Sequence, residues 1–151
     1  MKAITLTQPW ATLVAIGAKK IETRSWSTAY RGPLAIHAAK GWTNDVVGLV
    51  FTDPFMSILN AAGYKLFSQL PRGSIVATCN LVSVVGTRVI SYSPYEWKGP
   101  DERVYRFDLT DQERSFGDYA PGRFAWLLAD VQQLPMPVPA RGALGLWTCA
   151  L

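Results

Sequence analysis

Lysine, glutamate and arginine stand at positions 19, 22 and 24 of this 151-residue chain, just after Gly17. Lys19 is crowded by Lys20 and Arg24, and where burial favours its neutral form it can serve as a base or nucleophile, with Glu22 holding it or carrying a proton. The same trio can instead hold an anion. Arg24 then supplies a planar fork for phosphate, Lys19 a point charge, and Glu22 positions both or accepts from a base edge. Either chemistry suits a nucleotide-like ligand. Trp10 and Trp26 offer aromatic faces for stacking, and Arg31 a further cation.

These residues need elements to place them. Lys2 to Leu6 alternates polar and apolar side chains and predicts a first strand. Thr7 stands where a helix cap belongs, with Pro9 near the first helical position, and Leu13, Val14 and Ile16 give a short apolar stripe ended by Gly17. A strand running into a helix start exposes N–H groups at Thr7, Gln8 and Trp10, a geometry suited to an anion. From Lys20 to Trp26 the period is two, so Lys20, Glu22, Arg24 and Trp26 share one face and Ile21, Thr23 and Ser25 the other. That face is either a solvated surface with a Glu22–Arg24 pair or the wall of a cleft.

Arg31-Gly32-Pro33 signals a turn before a strand from Pro33 to Ala39, where the lone His37 reads as a packed, hydrogen-bonded core residue. A helix follows Thr43, and Asp53 caps another that opens on Pro54 and runs to about Gly63. Ser74 to Val85 gives the longest strand signal, expected at the centre of the sheet. Residues 86–122 show little periodicity and six acidic groups against three basic between Asp101 and Asp118, as in a surface excursion whose Tyr92, Tyr95 and Trp97 could form a lid. Phe124 to Val131 predicts a strand, Leu134 to Pro139 a proline-rich turn, and Leu144 to Cys149 a last strand. Six or so strands with short helices among them make one α+β, barrel-like domain over residues 1–151.

Composition narrows the function classes. A chain this long buries about 70% of its unfolded surface without needing disulfides or metal. Cys79 and Cys149 read as buried free thiols, and with His37 they are too few for a structural zinc site. No metal or cofactor is expected. Apolar residues are 49% and charged residues 17%, no segment is long and apolar enough to span a membrane, and the N-terminus lacks a signal-peptide core, so a cytoplasmic location is expected. Net charge is +4, but residues 1–40 carry +5 and residues 101–151 carry −2. Such a dipole steers an anionic ligand toward the first forty residues. Walker, GxGxxG, HExxH and GxSxG motifs are absent.

The segments LTQPWA, GAKKIETRSW, RGPLAIHAAK, LPRGSIVATC and ARGALGLW resemble the ASCH domain, a module named for its homology to a transcriptional coactivator. The pattern Gly17, Lys19, Glu22 and Arg24, with Gln8-Pro9-Trp10 upstream, carries the resemblance, which is weakest between about 86 and 122. It implies a PUA-like fold, a small mixed β-barrel with flanking short helices, and binding of RNA or other nucleic acid in a cleft between the first helix and the barrel. On that reading Gln8, Trp10, Lys19, Glu22, Arg24, Trp26 and Arg31 contact the ligand, which is RNA, single-stranded nucleic acid or a nucleoside-like small molecule. One branch resembles amidohydrolases of N4-acetylcytidine that use a lysine, a threonine and a glutamate, and ribonuclease activity is associated with another. Lys19 matches the lysine, but Glu22 occupies the threonine position, as in the coactivator-like branch. Binding is therefore the first expectation, hydrolysis through Lys19 and Glu22 the second, and a tryptophan-anchored protein-interaction module the third.

Overall fold

A computed structural model describes residues 1–151. The chain runs β1 (Lys2–Leu6), α1 (Trp10–Ala15), β2 (Ile21–Arg24), β3 (Gly32–Ala38), α2 (Asn44–Leu49), α3 (Phe55–Ala61), a 3-10 turn (Phe67–Gln69), β4 (Ser74–Gly86), α4 (Thr87–Ile90), β5 (Tyr95–Lys98), β6 (Val104–Phe107), α5 (Asp111–Ser115), β7 (Phe124–Pro139) and β8 (Trp147–Thr148). Six strands form a mixed sheet in the order β2-β7-β4-β3-β1-β8, with β4 central as its long apolar run predicts, and β5 and β6 form a separate hairpin. The architecture is α+β. Residues are grouped into two compact units, and β4 and β7 contribute residues to both.

The first unit comprises Met1–Ala18, Pro33–Cys79 and Val131–Leu151. Its β1 lies parallel to β3, Lys2 opposite Leu34 through Leu6 opposite Ala38, and antiparallel to β8 on its other side. Leu34 to Ala38 are all buried, which is why β3 reads as a continuous apolar run rather than an alternating one. Ala3, Ala35, Ile75 and Cys149 form one core cluster, closed by Leu134, Ala140 and Trp147. Small alanines here let neighbouring strands be covered by large side chains. Gly17, at φ +81°, ends the first helix as expected. Asp53 accepts from the backbone N–H of Ser57 at 2.9 Å and so caps α3.

The second unit comprises Lys19–Gly32 and Asn80–Asp130. Here β2 pairs antiparallel with β7, Ile21 opposite Leu127 and Arg24 opposite Phe124. Ile21 and Thr23 are buried and Glu22 and Arg24 half-buried, the period-two division expected from the residues. Ile21, Ile90, Phe107, Ala125 and Leu127 make its core, with Tyr95, Tyr105 and Tyr119 packed against them.

Three sequence expectations are corrected. Thr7 does not cap α1; Gln8 does, accepting from the Thr12 N–H through Oε1 at 3.0 Å. Within the first turn Ala11 and Leu13 donate to Thr7 O and Pro9 O. The longest strand is β7, 16 residues against 13 in β4, and it absorbs the stretch expected to be a proline-rich turn. Pro135, Pro137 and Pro139 alternate, so their missing N–H groups all fall on one edge, and β2 pairs with β7 only as far as Leu127. Residues 86–122 are not a patternless excursion: they build α4, α5 and the β5–β6 hairpin. The strands are four residues each and only one side meets the core, which leaves too little alternation to read. Of the proposed lid aromatics, Tyr95 packs into that core.

Candidate nucleic-acid interface

The second unit brings Lys19, Glu22 and Arg24 together. Lys19 is 0% exposed, its ammonium donating to Ile21 O and lying 3.4 Å from Glu22 Oε1. The other Glu22 oxygen takes Arg24, Nη2 at 3.1 Å and Nε at 3.2 Å. One carboxylate is thus shared between two cations. Beneath it lies Glu113, a residue the sequence reading did not single out. It is buried on α5, and its Oε1 accepts the backbone N–H groups of Lys20 at 2.9 Å and Ile21 at 2.7 Å. Burial raises its pKa above the usual carboxylate value, while the Lys19 charge and the two N–H bonds oppose that rise. The signal for this residue was local: Thr110 to Glu113 has capping-box spacing, and Thr110 Oγ1 does accept the Glu113 N–H at 3.1 Å. Its side chain reaches into the core rather than back to the cap.

The remaining aromatic and basic candidates of this unit have partners of their own. Trp26 meets Trp126 edge-to-face at 4.8 Å, and the Trp126 indole N–H donates to Trp26 O at 3.3 Å. Arg31 folds back on its own turn, donating to Thr28 O at 2.7 Å and Tyr30 O at 2.8 Å. The Tyr119 hydroxyl is buried without a hydrogen-bond partner, and burial beside Glu113 and Glu22 raises its pKa.

In the first unit, Gln8 is 0% exposed with both ends of its amide in use, Nε2 donating to Pro71 O at 2.7 Å. Trp10 packs edge-to-face on Phe55 at 6.3 Å. His37 is the packed, hydrogen-bonded residue its strand implied: Nε2 lies 2.7 Å from Ala140 O, Nδ1 lies 3.2 Å from Thr5 Oγ1, and Trp147 meets the ring edge-on.

The same unit holds a cleft of about 980 Å³ that sequence reasoning missed. Thr5 and His37 line it together with Lys40, Arg72, Arg141 and Gly142, and no carboxylate does. None of the ion pairs involves Lys40, Arg72 or Arg141. Two Arg-Gly corners place the cations. Gly73, at φ +61°, donates to Ala38 O at 2.8 Å and accepts from Ala140 N at 3.1 Å, tying the Arg72 corner between two chain segments. Gly142 lies flat against His37, where an added Cβ would stand 2.6 Å from Cε1 and 2.9 Å from Thr5 Oγ1. The available signal was the repeat of Arg-Gly after proline, at Pro71 and at Pro139.

This arrangement can hold a phosphate chain: two guanidinium forks and an ammonium in a concave, anion-free surface. No group of three or more His, Cys, Asp or Glu side chains is placed to hold a metal ion. Cys79 and Cys149 are buried free thiols, the former pushed up to about 12 by burial. No helix is long and apolar enough to cross a membrane.

Activating signal cointegrator 1 of Homo sapiens is 28% identical over 116 residues, which are 68% of this chain and 19% of that protein, so the chain spans about a fifth of that relative's length. The ASCH protein of Zymomonas mobilis matches in structure with TM-score 0.50 and 16% identity, over 99% of this chain and 87% of that one. A point-mutant form of it matches equally, over 99% and 88%. These likenesses bear on the fold alone, and the α+β class is what the strands and short helices show. With the ASCH domain model matching residues 4–135, most of its length, the chain belongs to the ASCH domain family.

Proposed function

We propose that this protein binds RNA or single-stranded nucleic acid, and that the basic cleft of the first unit is where it does so. The family is linked to RNA binding. The observation that carries the reading is the cleft itself: Lys40, Arg72 and Arg141 line about 980 Å³ with no acidic neighbour and no ion pair to compensate them. Uncompensated cations in a concavity attract a polyanion and release its counterions. The geometry around Lys19 favours holding over cutting, since a base or nucleophile must reach its substrate and this lysine is enclosed with Glu22.

Fluorescence anisotropy of a short labelled RNA tests the proposal. Three phosphate contacts on a single strand give a log–log salt slope of about −2, and removing two of the three cations with Arg72→Ala and Arg141→Ala flattens it to about −0.7. Absence of binding by the wild type at low salt overturns the reading. Incubation with N4-acetylcytidine and with RNA, wild type against Lys19→Ala, checks the hydrolytic reading separately.

A further inference from the structure

Arg72 is held in a way that phosphate binding alone does not require. Its guanidinium carbon lies 3.6 Å above the ring centroid of Trp42, and Nη1 donates to Lys40 O at 3.5 Å. Trp42 in turn leans on the buried Phe67, ring centroids 5.6 Å apart and tilted by 48°. Three planar groups are therefore layered: Phe67 behind, Trp42 in the middle and 45% exposed, Arg72 in front and lining the cleft. An arginine left to solvent samples many rotamers. Here one face of the fork is already spent on the indole, so its plane is fixed before any ligand arrives.

From this layering we infer that Arg72, backed by Trp42, is a platform on which one unpaired base stacks while Lys40 and Arg141 take the flanking phosphates. The inference rests on the cleft being the nucleic-acid interface. It adds the ligand class: a strand with an accessible base face, which excludes a closed duplex and makes the phosphates alone insufficient. Arginine planes stack on bases as aromatic rings do, and such contacts tolerate any base because each presents a π face. The open face of Arg72 and the indole behind it match that mode, whereas a cation meant only for phosphate needs its N–H edge and no backing. Selectivity for strandedness without selectivity for sequence follows.

The test uses the full chain and three labelled probes: a short single-stranded RNA, the same strand annealed to its complement, and a strand of equal length carrying abasic sites. The wild type is expected to bind the single strand about tenfold more tightly than the abasic strand, the size of one stacked base, and more tightly than the duplex. Arg72→Lys keeps the charge and loses the plane, so it should lose that tenfold preference while its salt slope is unchanged. Trp42→Ala should do the same, and Trp42→Phe should retain most of the preference; if Trp42→Ala fails to fold, Arg72→Lys decides alone. Equal wild-type affinity for the single-stranded and abasic probes overturns the platform and leaves the electrostatic reading standing, as does an Arg72→Lys variant indistinguishable from wild type. No binding to any of the three at low salt overturns both.

Discussion

Two sets of cations in this molecule are built from the same residue types and placed in opposite surroundings. In the second unit Lys19 and Arg24 flank Glu22 within five residues of sequence, with Glu113 behind the strand. In the first unit Lys40, Arg72 and Arg141 come from three distant segments and share a cleft with no carboxylate. The first set is nearly self-neutralising and turned inward. The second is uncompensated and faces a cavity large enough for a ligand. Positive charge dense in sequence is paired with carboxylates, and positive charge scattered in sequence lines a cleft that has none. Proximity along the chain does not by itself set the use of a charge, which depends on whether a carboxylate sits beside it.

If that contrast is right, the two sets respond differently to losing a cation. Lys19→Met should cost about 3 kcal/mol of stability, since removing one member of a buried pair leaves the other charge uncompensated. Urea unfolding reads the loss as a lower midpoint at unchanged slope, and the folded fraction should still bind RNA with wild-type affinity. A stable Lys19→Met protein that has lost RNA binding would reverse the assignment of the two sets.

Gly142→Ala probes the other side and should cost about 2 kcal/mol by overpacking. The new Cβ meets a ring that cannot easily retreat, held by Ala140 O, Thr5 and Trp147. Because Arg141 is the neighbouring residue, RNA affinity should fall together with stability. Unfolding and anisotropy on one preparation separate the two effects. Loss of stability with unchanged affinity would remove Arg141 from the contact.

The sequence made parts of this picture legible and hid others for physical reasons. Strands β1, β2, β3 and β4 announced themselves because side-chain period and apolar content are local properties, and Gly17 marked its helix end for the same reason. His37 was read as a packed residue from its apolar neighbours, and it is one. The far half of β7 was hidden by its prolines, whose tolerance depends on which edge of the strand lacks a partner. Glu113 was hidden because its contacts are with Lys20 and Ile21, more than ninety residues earlier. The cleft was least legible. Lys40, Arg72 and Arg141 share it only because β3 and the turns after Pro71 and Pro139 meet, a matter of topology. The expected ligand contacts Gln8, Trp10, Trp26 and Arg31 each have packing or hydrogen bonding of their own, which local pattern does not reveal.

The smallest predicted effect concerns the pH response of the inward-facing set. Burial raises the folded pKa of Glu113, so over the window from its ordinary value of 4.5 upward the native state binds more protons than the unfolded chain. A carboxyl of that kind contributes stability that is fully present below the unfolded pKa and is lost as pH rises through the folded one. Glu113→Gln keeps Oε1 as the acceptor for the Lys20 and Ile21 N–H groups and removes the titration. Urea midpoints measured across that window should fall with pH in the wild type and fall less in the variant. Glu113 does not line the cleft, so RNA affinity of the two proteins should run in parallel. A variant whose midpoints track the wild type at every pH would mean that Lys19 and the two N–H bonds offset the burial of Glu113 in full, making the inward set still more completely self-neutralised than the geometry alone implies.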